Sequence, residues 1–228
     1  MGESLQSSGP LFHILSLEVN NITVTTWGIM IVLTILFFFL GRNLKESPTN
    51  RKQVAVELAI DSLLTFLGEV AGGKEKAKRF FPILGSLFII ILASNYSGLL
   101  PGMGHVKGMQ APTSTWSYTL GLALTVFVMT FYVGFRHHKQ GYLKHYIQPT
   151  AIMIPLVIME EIVRPLSLSL RLYGNVYGEE TVVANISNLV PLIMPIPFMF
   201  LGLFFGFMQA LVFTLLTATY LVAAFEGE

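Results

Sequence analysis

The sequence contains no cysteine, which excludes disulfides, thiol catalysis and thiolate metal sites. Charge is scarce: Asp, Glu, Lys and Arg make up 12% of 228 residues, against about 25% in a typical soluble domain. A chain so poor in charge cannot clothe a globular surface, so it belongs in lipid. No Lys or Arg occurs in the first 41 residues. The basic start of a signal peptide is therefore missing, and a cleaved leader is not expected. Phosphate-binding loop, Gly-rich dinucleotide and HExxH motifs are absent as well. Any nucleotide chemistry must reside on a partner, and no cofactor or metal is expected. His137, His138 and His145 lie in a basic stretch and read as solvated loop residues. A net charge of +1 gives no field for nucleic acid.

Long apolar runs are plentiful, and 53% of the residues are hydrophobic. Clear spans read at about Thr25 to Leu40, Phe80 to Leu100 and Trp116 to Phe135. Between the first two, Val54 to Ala71 carries Glu57, Asp61 and Glu69 at helical spacing, an amphipathic helix suited to the interface or to packing on a neighbour. Two longer runs follow, Pro149 to Leu189 and Pro195 to Phe225. The expected fold class is an all-α polytopic membrane protein of five or six helices. It divides into an outside segment 1–24, transmembrane and interfacial helices with basic loops over 25–148, and a long hairpin over 149–228. Eleven of the 14 Lys and Arg residues fall in three stretches that share one side if residues 51–79 return to the side they left. The bias of basic residues toward the cytoplasm places the amino terminus outside and the carboxyl terminus inside.

The fifth run is too long for a simple span. Forty helical residues extend roughly 60 Å, twice the hydrocarbon core of about 30 Å. Strong tilt, a break, or kinks at Pro155 and Pro165 would accommodate it. The same run carries Glu160, Glu161, Arg164, Arg171, Glu179 and Glu180, and each charge at bilayer depth is expensive. Glu160 and Glu161 stand four and three residues before Arg164 and can neutralise it. Arg171 has no such help. Its nearest carboxylates in sequence are eight and nine residues away, and its i±3 and i±4 positions are Ser167, Leu168, Gly174 and Asn175. Arginine cannot deprotonate to escape the penalty, so Arg171 needs a partner from beyond its own helical segment: another helix of this chain, another protein, or water.

At about 100° per residue, Arg164, Ser167, Arg171, Gly174, Asn175 and Gly178 form one stripe, and Glu180 projects from the opposite face. Small residues in that stripe allow a second helical surface to come close. Gln209 sits in the apolar stretch FGFMQALVF of the last run, and Asn95 near the outer end of the second span. One fixed positive charge with polar groups on two sides suits a conduction path that contains a barrier.

The stretch PLSLSLRLYGNVYGEE (165–180) resembles the signature of subunit a of the rotary ATP synthases, as do MQALVFTLLTATYL (208–221), SNYSGLLP (94–101) and the APT after it. YIQPTAIMIPLVIMEEIVRPLSLSLRL and NLVPLIMPIPFMFLGLF resemble the cyanobacterial and plastid form in particular. The likeness covers about residues 50–228. It implies an integral membrane subunit, non-catalytic by itself, in a bacterial cytoplasmic membrane or alternatively a thylakoid membrane. It implies work beside a rotor ring of small hairpin subunits, a peripheral-stalk subunit b, the remaining synthase subunits and membrane lipid. In that family Arg171 would face the rotor carboxylates that carry a proton or sodium ion. Asn175, Glu180 and Gln209 would serve ion access, and Glu179, Ser167, Asn95 and Glu161 are secondary path candidates. Some relatives carry a histidine or acid where this chain has Gly202, and an acid where it has Gly98 or Ser114-Thr115. The outer path should therefore rest more on Glu179, Glu180 and water. Two other classes compete. A secondary transporter would require inverted repeats, and none is visible. A purely structural assembly subunit would tolerate Arg171→Lys.

Overall fold

A computed structural model describes residues 12–14, 17–19, 21–42, 51–99, 111–137, 154–189 and 195–226. Among them are six α-helices: α1 (Asn21–Gly41), α2 (Arg51–Val70), α3 (Lys74–Ser97), α4 (Trp116–His137), α5 (Ile154–Leu189) and α6 (Pro195–Glu226). A 3-10 turn, Pro112–Ser114, precedes α4. The helical membrane architecture matches the expectation. A short addition precedes it: strands Phe12–Ile14 and Leu17–Val19 pair antiparallel, with Phe12 opposite Val19. Lys45, Lys107, Lys139, Lys144, His138 and His145 lie outside the described residues.

Helices α1, α3, α4 and α6 are long and apolar enough to cross a membrane. Water is missing from the hydrocarbon core, so polar side chains there must find partners within the protein. The threonines do so locally. Thr26, Thr34, Thr125, Thr130, Thr214 and Thr217 each donate to the carbonyl four residues back, at 2.7–2.9 Å. The first proline of α5, Pro155, lies in the opening turn, where no helical N–H is required. The second, Pro165, is buried in an unbroken helix of 36 residues, about 54 Å long.

By internal packing the chain divides into two units. One comprises Met1–Val54, Ile89–Thr115 and Tyr173–Met208; the other comprises Ala55–Phe88, Trp116–Leu172 and Gln209–Glu228. The second has a core of Leu67, Ala71, Ala77, Phe80, Leu84, Ala218, Leu221 and Val222. It forms because α2 folds back on α3 through Gly72 and Gly73, whose φ of 68° and 147° other residues rarely adopt. The turn is closed by Gly73 N–H donating to the Gly68 carbonyl at 2.9 Å, and Lys74 bridges to Asp61 at 2.7 Å. The inner half of the amphipathic α2 thus packs on neighbours within the chain, while Leu58 and Val54 stay exposed. The carboxyl end of α6 is held in the same unit. The Phe225 ring meets Phe80 at 5.8 Å, His137 at 4.6 Å and the Arg79 guanidinium at 4.5 Å, and Glu226 pairs with Lys76. His137, expected in a loop, instead ends α4 and meets that ring edge-on.

In the first unit, α1 lies against the 3-10 turn. The end of α3 docks on the start of α6. Asn95 Nδ2 donates to the Gly206 carbonyl at 2.9 Å, and the Tyr96 hydroxyl donates to the Leu203 carbonyl at 3.2 Å. Gly206 permits this approach, since a Cβ there would stand 3.3 Å from Asn95 Cβ.

A candidate ion pathway on the long hairpin

Helix α5 presents two faces. Pro165, Leu168, Ser169, Leu172 and Val176 are buried. Glu160, Val163, Leu166, Ser167, Leu170, Arg171, Gly174 and Asn175 are exposed. Of the expected stripe, Ser167, Arg171, Gly174 and Asn175 are exposed, whereas Arg164 and Gly178 are half-buried.

Arg164 is neutralised as its spacing foretold. Its guanidinium donates to Glu161 at 2.9 Å and to Glu160 at 2.7 Å. It also lies 5.2 Å from the centre of the Tyr220 ring on α6. The Glu161 side chain is 13% exposed and that of Glu160 60%, so Glu161 is the inward partner. Glu161, Arg164, Leu168, Phe127 and Tyr220 line a shallow depression in this unit. Tyr220 carried no signal in the sequence, because a tyrosine near a membrane helix end is ordinary.

Arg171 behaves otherwise. Among the described residues no carboxylate lies within ion-pair distance of it and no side-chain hydrogen bond reaches it. A static bridge to another helix of this chain, one of the partners weighed above, is absent among those residues. Asn175 and Ser167 share the exposed face. Gln209 is buried, 3% exposed, on the inner face of α6.

The first unit brings a second group together. Glu179 extends over Gly202 of α6, and its carboxylate fills the space a Cβ on that residue would take. Glu180 turns to the other side. Its Oε1 is 3.3 Å from where a Cβ on Gly98 would stand, and the Ser114 hydroxyl donates to the Ala111 carbonyl at 2.8 Å. Asn95 is close by in the chain, with Gly98 N–H donating to its carbonyl at 3.2 Å. Among the described residues, three buried polar atoms here have no hydrogen-bond partner: Asn95 Oδ1, Thr113 Oγ1 and Glu179 Oε1. Buried polar atoms are normally satisfied, so an unmatched group of them points to water. The sequence reading singled out Glu179, Glu180 and Asn95 and marked Gly98, Gly202 and Ser114 as places lacking an acid. Those glycines turn out to be where the two carboxylates fit. Thr113 was missed, since a hydroxyl in an APT turn is unremarkable by itself.

The sequence profile of the ATP synthase A chain family matches residues 23–222. ATP synthase subunit a of Moorella thermoacetica is 37% identical over 219 residues, covering 96% of this chain and 96% of that protein. ATP synthase subunit a 1 of Syntrophotalea carbinolica is 38% identical over 228 residues, covering 98% of this chain and 90% of that one. With four helices among the described residues long and apolar enough to cross a membrane, and a likeness that runs nearly end to end, the chain belongs to the ATP synthase A chain family and is a multi-pass, non-catalytic subunit of the synthase membrane sector.

Proposed function

We propose that this subunit carries ions through two half-channels to and from carboxylates on a rotor ring, and that Arg171 keeps those half-channels apart. The observation that carries the reading is the exposed arginine, which has no carboxylate within ion-pair distance among the described residues. An obligate cation on a face shared with Val163, Leu166, Leu170 and Gly174, and with the polar Glu160, Ser167 and Asn175, is expensive against lipid. It is suited to a carboxylate that another protein brings past it. The small residues beside it admit a close helical neighbour.

The outer half-channel uses Glu180 and Glu179 with Asn95, and the unmatched buried oxygens hold its water. Gln209 serves the same access, as the resemblance implies. An ion entering here neutralises a rotor carboxylate, which can then face lipid. The inner half-channel opens beside Glu161, where the carboxylate gives up its ion. Arg171 favours the ionised carboxylate by charge pairing and blocks direct passage. Ser167 and Asn175 flank it on the rotor-facing surface. Each elementary charge crossing about 100 mV supplies about 2.3 kcal/mol for rotation. The subunit works beside the rotor ring and the peripheral-stalk subunit b, with its amino terminus outside and its carboxyl terminus cytoplasmic.

The test is ion-driven ATP synthesis by vesicles containing the whole complex with Arg171→Ala. Synthesis should be lost with assembly intact, and passive ion leak should rise. Undiminished coupled synthesis would refute the separator role.

A further inference from the structure

Ser169 and Thr119 are both fully buried, at 0% exposure, and their hydroxyl oxygens lie 3.2 Å apart. They join α5 to α4 within one unit. Thr119 also donates to the Trp116 carbonyl at 3.0 Å. With that proton committed, Ser169 is the donor in the pair. Other buried hydroxyls, those of Thr130, Thr214 and Thr217, bond back to their own helices. Ser169 spends its proton on a neighbouring helix.

Ser169 precedes Arg171 by two residues. Two residues are about 200° around the helix and about 3 Å along it. The hydroxyl pair therefore sits behind the arginine, on the same turn and the opposite face. The other side chains on the buried face at this level are Leu168 and Leu172. Leucine packing has no direction and tolerates small rotations or slips of one helix against another, whereas a hydrogen bond between two short side chains does not. Buried polar pairs of this kind are best attested as devices that fix register.

We propose that Ser169 and Thr119 are positioning residues, a pin that sets the rotation and height of α5 so that Arg171 projects at the level where the rotor carboxylates pass. The inference rests on the separator role of Arg171 and adds a fixed bearing behind it.

The test compares Ser169→Ala, Thr119→Val and their double variant in the assembled complex. Each should retain ATP hydrolysis yet lose ion-driven synthesis by roughly three- to tenfold, the factor expected for one interhelical hydrogen bond. Ions pumped per ATP should fall and passive leak should rise. The double variant should be no worse than either single one. Ser169→Thr and Thr119→Ser, which keep a hydroxyl, should restore coupling. Because the chain has no cysteine of its own, Thr119→Cys/Ser169→Cys provides an activity-independent reading. Oxidation should cross-link α4 to α5 in the complex without abolishing synthesis. Full coupling in the alanine and valine variants, or failure of the cysteine pair to cross-link, would overturn the pin. Arg171→Ala run in parallel separates the two ideas: if it uncouples while the hydroxyl variants do not, only the pin is lost, and if it does not uncouple, the separator role itself falls.

Discussion

Placing a single methyl group at position 202 should move a carboxylate. The Glu179 side chain occupies the volume that a Cβ on Gly202 would need. In Gly202→Ala the backbone of α6 cannot recede without disturbing Gly206, which is held against Asn95 and Tyr96. The carboxylate is the far end of a flexible side chain, so it is the part that yields. Overpacking of this kind costs about 1–3 kcal/mol. Alanine in place of glycine within a helix returns about 0.8–1.0 kcal/mol. The net change in an otherwise unaltered chain should thus be small, about 0–2 kcal/mol destabilising. In a Glu179→Ala background the carboxyl is gone and the propensity gain remains. The coupling between the two positions should therefore be about 1–3 kcal/mol, or 5- to 150-fold in an equilibrium. Heat-induced release of the subunit from the detergent-solubilised complex, measured for all four members of the cycle, reads this coupling. If Glu179 lines the proposed outer path, ion-driven synthesis should fall in Gly202→Ala, because the displaced carboxylate leaves it. The same loss of stability with and without Glu179 would show that the carboxylate does not fill that space, and the proposed outer path would lose a member.

Other expectations concern the scaffold. In Gly68→Ala a Cβ would stand 3.1 Å from Lys74 Cα and 3.3 Å from its nitrogen, backbone atoms that cannot swing away. The α2–α3 turn should be destabilised by about 1–3 kcal/mol. Gly85→Ala, whose nearest neighbour is the Phe81 ring at 3.5 Å, should be near neutral in the same thermal assay. Phe225→Ala removes the ring that meets Phe80, His137 and Arg79. At about 0.5–1.5 kcal/mol per aromatic contact, it should loosen the end of α6, read as faster proteolysis of the carboxyl terminus in the detergent-solubilised complex; unchanged proteolysis would show that these contacts do not hold that end.

Helix limits were legible because lipid enforces a simple pattern. A span needs an unbroken apolar run and internally bonded backbone, and α4 begins at Trp116 just where the apolar run begins. The Arg164 pairing was legible for a related reason: partners three and four residues apart meet on any helix. Contacts between helices were not. Asn95 meets Gly206 across 111 positions, and Ser169 meets Thr119 across 50. Whether such residues face each other depends on rotation and height, which no local spacing encodes. The glycines hid most completely. Gly98 and Gly202 offer no side chain to read, so they registered as gaps in an acidic path, whereas their emptiness is what admits Glu180 and Glu179. The three-residue strands at the amino end are too short to show alternation above noise.

Arg171 shows how the two kinds of information combine. The sequence established that no acid could reach the arginine from its own helix. Among the described residues, the fold supplies none from elsewhere in the chain either and turns the residue outward. A charge that cannot be discharged, and that no carboxylate among the described residues pairs, would leave the folded subunit incomplete at that point. Its stability in the membrane is then linked to whatever carboxylate stands opposite. If the proposed role holds, a stator that needs its rotor's charge cannot be indifferent to the rotor's position. On the proposed separator role, the residue that costs this subunit most in isolation is also the one through which ion binding on a rotor ring would be converted to movement.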